Sequence, residues 1–241
     1  MEAVNDEPLL KPSERGGAPT SRSRLLIGYV CLVLLICSWV GQSEVAQYIQ
    51  TTLDYDKPYT VTWINHSVMG LILPGLWFRH PDLWTSVVRE VGVPFYQVVL
   101  MCAALAVAYT LGDYLWYLAL PLTSVAEATA LFNSQSVFAY FFSVLVLGEA
   151  VLASKVLAVV TSIGGIVLIT LSGSGSGGDG SGEAAHSAGS RLGGDLLSAG
   201  AACIYAIYEV GFKRAIGDVS DLAVVNAATG LVGGWVDCVG M

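Results

Sequence analysis

Two carboxylates, Asp113 and Glu127, lie inside long apolar runs of this sequence, and a third, Glu209, lies near the end of another. A charged side chain in the middle of a membrane-length run costs about 2.5–3.5 kcal/mol on insertion scales, so it usually faces a cavity or a partner. Polar neighbours recur around each at helical spacing. Tyr109, Asp113, Trp116 and Tyr117 fall at offsets of four, seven and eight and share one face. Thr129, Asn133, Ser136, Tyr140 and Ser143 step by four, three, four and three, while Glu127 and Ser134 occupy the opposite side of the same run. A helix polar on two sides cannot turn both to lipid, so it is expected to be central. Either one stripe faces a water-filled cavity, or both stripes bond to neighbouring helices. Glu127 favours the cavity. Asp113, Tyr117, Glu127, Asn133, Ser134, Ser136 and Glu209 are therefore the candidate ligands for a small polar solute. Glu209 and Lys213 stand four residues apart, which suits a local ion pair as well as a cavity role. His66 reads as a hydrogen-bonded packing residue.

Other chemistry finds little support. There is no metal-ligand cluster, no nucleophile paired with a base, and no glycine loop in the strand and helix context that cradles phosphate. The expectation is a protein that is not an enzyme and uses neither cofactor nor metal, with no nucleic-acid partner.

The elements that position these residues follow from composition. Hydrophobic residues make up 54% and charged residues 12% of the chain, against about 45–50% and about 25% in soluble domains. Apolar runs long enough to cross a bilayer, roughly 17 residues or more, lie near 25–45, 60–78, 95–117, 123–147, 153–171, 194–212 and 221–241. These runs show no strand alternation, and backbone amides in lipid must pair within their own segment, so the fold class is an all-α polytopic membrane protein. Pro74 removes a hydrogen bond near the inner end of the second run and predicts a kink. Ala104, Ala108 and Gly112, then Gly164-Gly165, predict close helix approaches, and Gly230 and Gly234 stand at a four-residue step in the seventh run. The five cysteines all lie in apolar runs and read as buried small side chains.

Placing the N-terminus in the cytosol puts Lys11, Arg15, Arg22, Arg24, Arg79, Arg89, Lys155, Lys213 and Arg214 on the cytosolic side, leaving only Lys57 and Arg191 outside. Residues 1–24 are expected to be a disordered cytosolic tail. Residues 25–171 form a five-helix unit, 172–193 a Gly/Ser linker, and 194–241 the start of a second, incomplete unit.

The segments WVGQSEVAQYIQ, DYDKPYTVTW, LWYLALPLTSVAEATALFNSQSVFAYFFSVLVLGE, KVLAVVTSIGGIVLI and CIYAIYEVGFKR resemble drug and metabolite transporters with the EamA-type repeat, and within them the F branch of solute carrier family 35. The resemblance implies a ten-helix transporter of two inverted five-helix repeats, here truncated after about seven helices, with solute at the repeat interface. It implies alternating access, with a nucleotide sugar or a thiamine-like metabolite as solute, in an endomembrane of Golgi, vacuole or lysosome type or in the plasma membrane. Glu127 and Asn133 depart from the Ser/Thr-rich fourth helix common in the family. Partners expected are the solute, the lipid bilayer, and either a second copy or a full-length relative. The competing expectation is a truncated, non-transporting protein that binds or regulates such a relative.

Overall fold

The computed structural model describes residues 22–55, 57–175, 188–217, 219 and 221–239. Residues 1–21 of the expected tail and residues 176–187 of the expected linker lie outside the described residues. Every regular element among the described residues is a helix, as continuous apolar runs in lipid require. The protein is an all-α polytopic membrane protein. Leu25–Thr51, Phe95–Ala119, Val125–Leu147 and Gly189–Ile216 are each long and apolar enough to cross a bilayer, and Ala153–Gly165 and Leu222–Val236 are shorter apolar stretches.

Two compact units divide the chain, Met1–Gln42 and Ser43–Met241. The first holds most of helix α1 (Arg22–Thr51), apolar along its length from Leu25 to Val40. The second begins with the last turns of α1 and contains everything else.

Within the second unit, α2 (Pro58–Gly70) and α3 (Ile72–Arg79) meet at Leu71. Pro74 has no N–H to offer and crowds the carbonyl of Gly70, four residues back, which explains a helix break at that point. A short amphipathic helix, α4 (Leu83–Val91), follows and ends at Gly92 in the left-handed conformation, φ 73°. Helix α5 (Phe95–Ala119) starts from Pro94.

The predicted fourth run forms one apolar stretch in three pieces: α6 (Val125–Phe132), α7 (Gln135–Phe142) and a π-helical turn, Ser143–Leu147, closed by Gly148 at φ 68°. Then come α8 (Ala153–Gly175), α9 (Ala188–Ile216) and α10 (Leu222–Val239). Helix α8 runs past the expected boundary at 171, and α9 starts six residues before the expected 194.

Packing centres on α5 and α9, with α10 against α2, α3 and α5. A Cβ on Gly112 would come within 2.9 Å of the Tyr205 ring, so this glycine lets α9 lie directly on α5. A Cβ on Gly233 would meet the Gly70 backbone nitrogen at 2.5 Å, which seats α10 on the α2–α3 break. Gly230 faces Leu73 in the same seam. Among the described residues nothing lies within 4 Å of either Cβ position at Gly164-Gly165, so none of them makes the close approach expected there.

Candidate functional site

The seven predicted ligands do not share one site, and only Asn133, Ser136 and Glu209 line a common cleft. Asp113 is buried at the junction of α2, α5 and α9. His66 Nε2 lies 2.5 Å from its Oδ2, Asn65 Nδ2 donates to the same oxygen at 3.4 Å, and the Tyr205 hydroxyl donates to Oδ1. Three donors around one carboxylate satisfy most of its acceptor capacity, which is how a buried charge is tolerated. Tyr109 packs on the His66 ring at 4.7 Å between centroids and on Tyr205 at 5.3 Å. Tyr117 is fully buried in the apolar cluster with Ala46, Trp116, Leu120, Val125, Ala128 and Ala201.

Glu127 stands at the start of α6. Ser124 caps that helix by accepting the Glu127 N–H at 3.2 Å, the Ser-x-x-Glu arrangement of a capping box. The Glu127 carboxylate turns outward from the box. Arg191 Nη2 on α9 donates to Oε1 at 2.6 Å, and the Thr123 hydroxyl lies 3.0 Å from Oε2 and 3.2 Å from Asp195 Oδ1. Gln47 on α1 fixes the preceding turn by donating to the Leu120 and Thr123 carbonyls at 2.6 and 2.9 Å.

Asn133, Ser136 and Glu209 come together. With Phe132, Gln135 and Ser162 they line a cleft of about 490 Å³ between the α6–α7 run, α8 and α9. It opens where the run is interrupted. Bonds of i to i+3 type, Ser134 N to Leu131 O at 3.0 Å and Val137 N to Ser134 O at 2.9 Å, tighten the chain there and separate α6 from α7. Gln135 lies close enough to Glu209 to act on its carboxylate. Ser134 Oγ is buried on the other side of the break without a hydrogen-bond partner among the described residues. The lining is thus a carboxylate, two amides and two hydroxyls beside one aromatic ring, a set that accepts hydrogen bonds from a polar or positively charged ligand. Phe132 also packs on Tyr205 at 5.2 Å, and the Tyr205 hydroxyl donates to Asp113, so two rings in contact link the cleft lining to that carboxylate.

A second charged cluster closes the far end of the run. Glu149 accepts Lys155 Nζ at 3.0 Å on one oxygen and Lys213 Nζ at 2.8 Å on the other. Lys213 first and Lys155 second hold the Glu149 carboxyl below its ordinary value. Lys213, whose spacing from Glu209 allowed a local pair as well as a cavity role for that carboxylate, here reaches Glu149.

Gln135, Ser162, Thr123, Arg191, Asp195, Asn65 and Tyr205 escaped the sequence reading. The Ser124-x-x-Glu127 spacing was the available signal for a helix start at Val125. Arg191 fell within the glycine-rich stretch assigned to the linker.

Residues 25–171 match the EamA-like transporter family. The chain belongs to that family. This EamA-like chain is also 26% identical over 202 residues to solute carrier family 35 member F3 of Homo sapiens, covering 78% of this chain and 45% of that protein. It is 22% identical over 206 residues to solute carrier family 35 member F4 of Mus musculus, covering 80% and 40% respectively. The chain spans less than half the length of these curated relatives.

Proposed function

We propose that this EamA-like chain carries the solute-binding half of a secondary transporter, and that the cleft at the α6–α7 interruption is where a small polar solute binds. One observation carries this: a membrane-length helical run tightens into a 3₁₀-type turn at Asn133-Ser134, and polar residues around that turn share a lining of about 490 Å³ with the Glu209 carboxylate. Interrupted helices near the bilayer midplane are where transporters of repeated architecture bind solute, because freed backbone groups and polar side chains can both reach the ligand. Movement of one helix group against another would then expose the cleft to each side in turn. Among the described residues that line it, Glu209 is the one ionisable group. That favours a cationic or donor-rich solute of the thiamine-like kind over a nucleotide sugar, whose phosphates need cations. An endomembrane or the plasma membrane is the proposed site of action.

Reconstitution tests this. Purified protein in liposomes is expected to accumulate radiolabelled thiamine or another small organic cation in preference to a uridine diphosphate sugar. Asn133→Ala and Glu209→Gln should each lower the initial rate about tenfold, the loss of roughly one charged hydrogen bond. Equal rates in both variants and wild type would remove the cleft from consideration.

The partner reading, a chain that docks on a second copy or a full-length relative, is favoured by one feature. Gly164 and Gly165 on α8 offer open space where a further helix fits.

A further inference from the structure

We propose that Glu127–Arg191 and Glu149–Lys213 are reversible latches at the two ends of the cleft, and that Lys213 exchanges between Glu149 and the cleft carboxylate Glu209 as its latch opens. This rests on the cleft being the solute site.

The two pairs share a register. Each joins the α6–α7 run to α9, and each spans 64 residues of sequence. The run and α9 therefore travel in the same direction, side by side. From Glu127 to Glu149, as from Arg191 to Lys213, is 22 residues, or about 33 Å at 1.5 Å per residue, against a hydrocarbon core about 30 Å thick. The latches thus sit at opposite membrane boundaries with the cleft between them.

A latch that opens repeatedly must not strand a charge, because an unpartnered ion leaving water is strongly unfavourable. Each of these four residues has a second partner in reach. Glu127 keeps the Thr123 hydroxyl at 3.0 Å. Arg191 has Asp195 one helical turn along α9, and Asp195 already lies 3.2 Å from the same hydroxyl. Glu149 keeps Lys155 on its other oxygen. Lys213 has Glu209 one turn back on α9, the four-residue spacing at which side chains meet. Partly exposed pairs of this kind are individually weak, as a reversible contact needs to be.

The Lys213 end carries a consequence for the solute. When Lys213 leaves Glu149 it arrives at the carboxylate that lines the cleft, so it competes there with a cationic ligand. A ligand on Glu209 in turn leaves Lys213 on Glu149 and that end shut. Opening of the Glu149 end, which the distribution of basic residues puts in the cytosol, is thereby tied to release.

Accessibility of the cleft tests the latches without any solute, so the outcome is separate from that of the uptake assay. Ser136→Cys, in a background lacking the five native cysteines, is reacted in liposomes with a membrane-impermeant maleimide from each side. Glu149→Gln and Lys213→Met should each raise labelling from the Lys155 side at least fivefold, and Glu127→Gln should raise it from the opposite side. Adding Glu209→Gln should return the Glu149→Gln rate toward wild type and leave the Lys213→Met rate unchanged, since only in the former does Lys213 use Glu209. Ser162→Cys, a second reporter on the cleft wall, must show the same pattern. Rates unchanged by the acid variants, or a Glu209→Gln effect equal in both backgrounds, would overturn the proposal.

Discussion

His66 Nε2 sits 2.5 Å from Asp113 Oδ2 in the buried space between α2 and α5. With Asn65 and Tyr205 also directed at this carboxylate, Asp113 joins three helices. Asp113→Asn replaces one acceptor oxygen with an amide that faces donors. It should destabilise the protein by about 1–3 kcal/mol, read as a lower thermal midpoint in detergent. An unchanged midpoint, with altered uptake alone, would place Asp113 at the solute.

Gly112 predicts a steric effect on the same cluster. Gly112→Ala puts a methyl 2.9 Å from the Tyr205 ring and should cost about 1–3 kcal/mol as an overpacked contact. Gly233→Ala, which meets the Gly70 backbone at 2.5 Å, should be worse because backbone cannot swing aside. Gly164→Ala, with open space at its Cβ, should leave stability unchanged. Thermal midpoints of the three variants would check the order.

The faces were legible in the sequence and the partners were not. Helical spacing put Asp113 with Tyr109 and Tyr117, and Asn133 with Ser136, because a fixed rise and turn fixes which residues share a side. It carries no information on which helix faces them: Tyr205 is 92 residues from Asp113. Pro74 announced the α2–α3 break through its missing N–H. The α6–α7 break has no such marker, since Asn133 and Ser134 hold ordinary right-handed helical angles. Arg191 was hidden by Gly189 and Gly193, weak helix formers that read as linker, although the next residue, Gly194, packs so closely that a Cβ there would meet Thr123 at 3.0 Å.

Glu149 makes a prediction about pH. Its carboxyl is held below the ordinary 4.5 by Lys213 and then Lys155. A depressed acid contributes stability that is fully present above its unfolded value and is lost as pH falls through the folded one. The stability difference between wild type and Glu149→Gln should therefore be constant at neutral pH and shrink only below pH 4.5. A difference that disappears nearer neutrality would contradict this pairing.

Equilibrium binding reads directly whether Glu209 holds solute in the cleft. Protein in nanodiscs is titrated with radiolabelled thiamine by scintillation proximity, in wild type, Glu209→Gln and Gly164→Ala. Saturable binding that weakens at least tenfold in Glu209→Gln and is retained in Gly164→Ala is the expected result. Saturable binding equally strong in Glu209→Gln would contradict it.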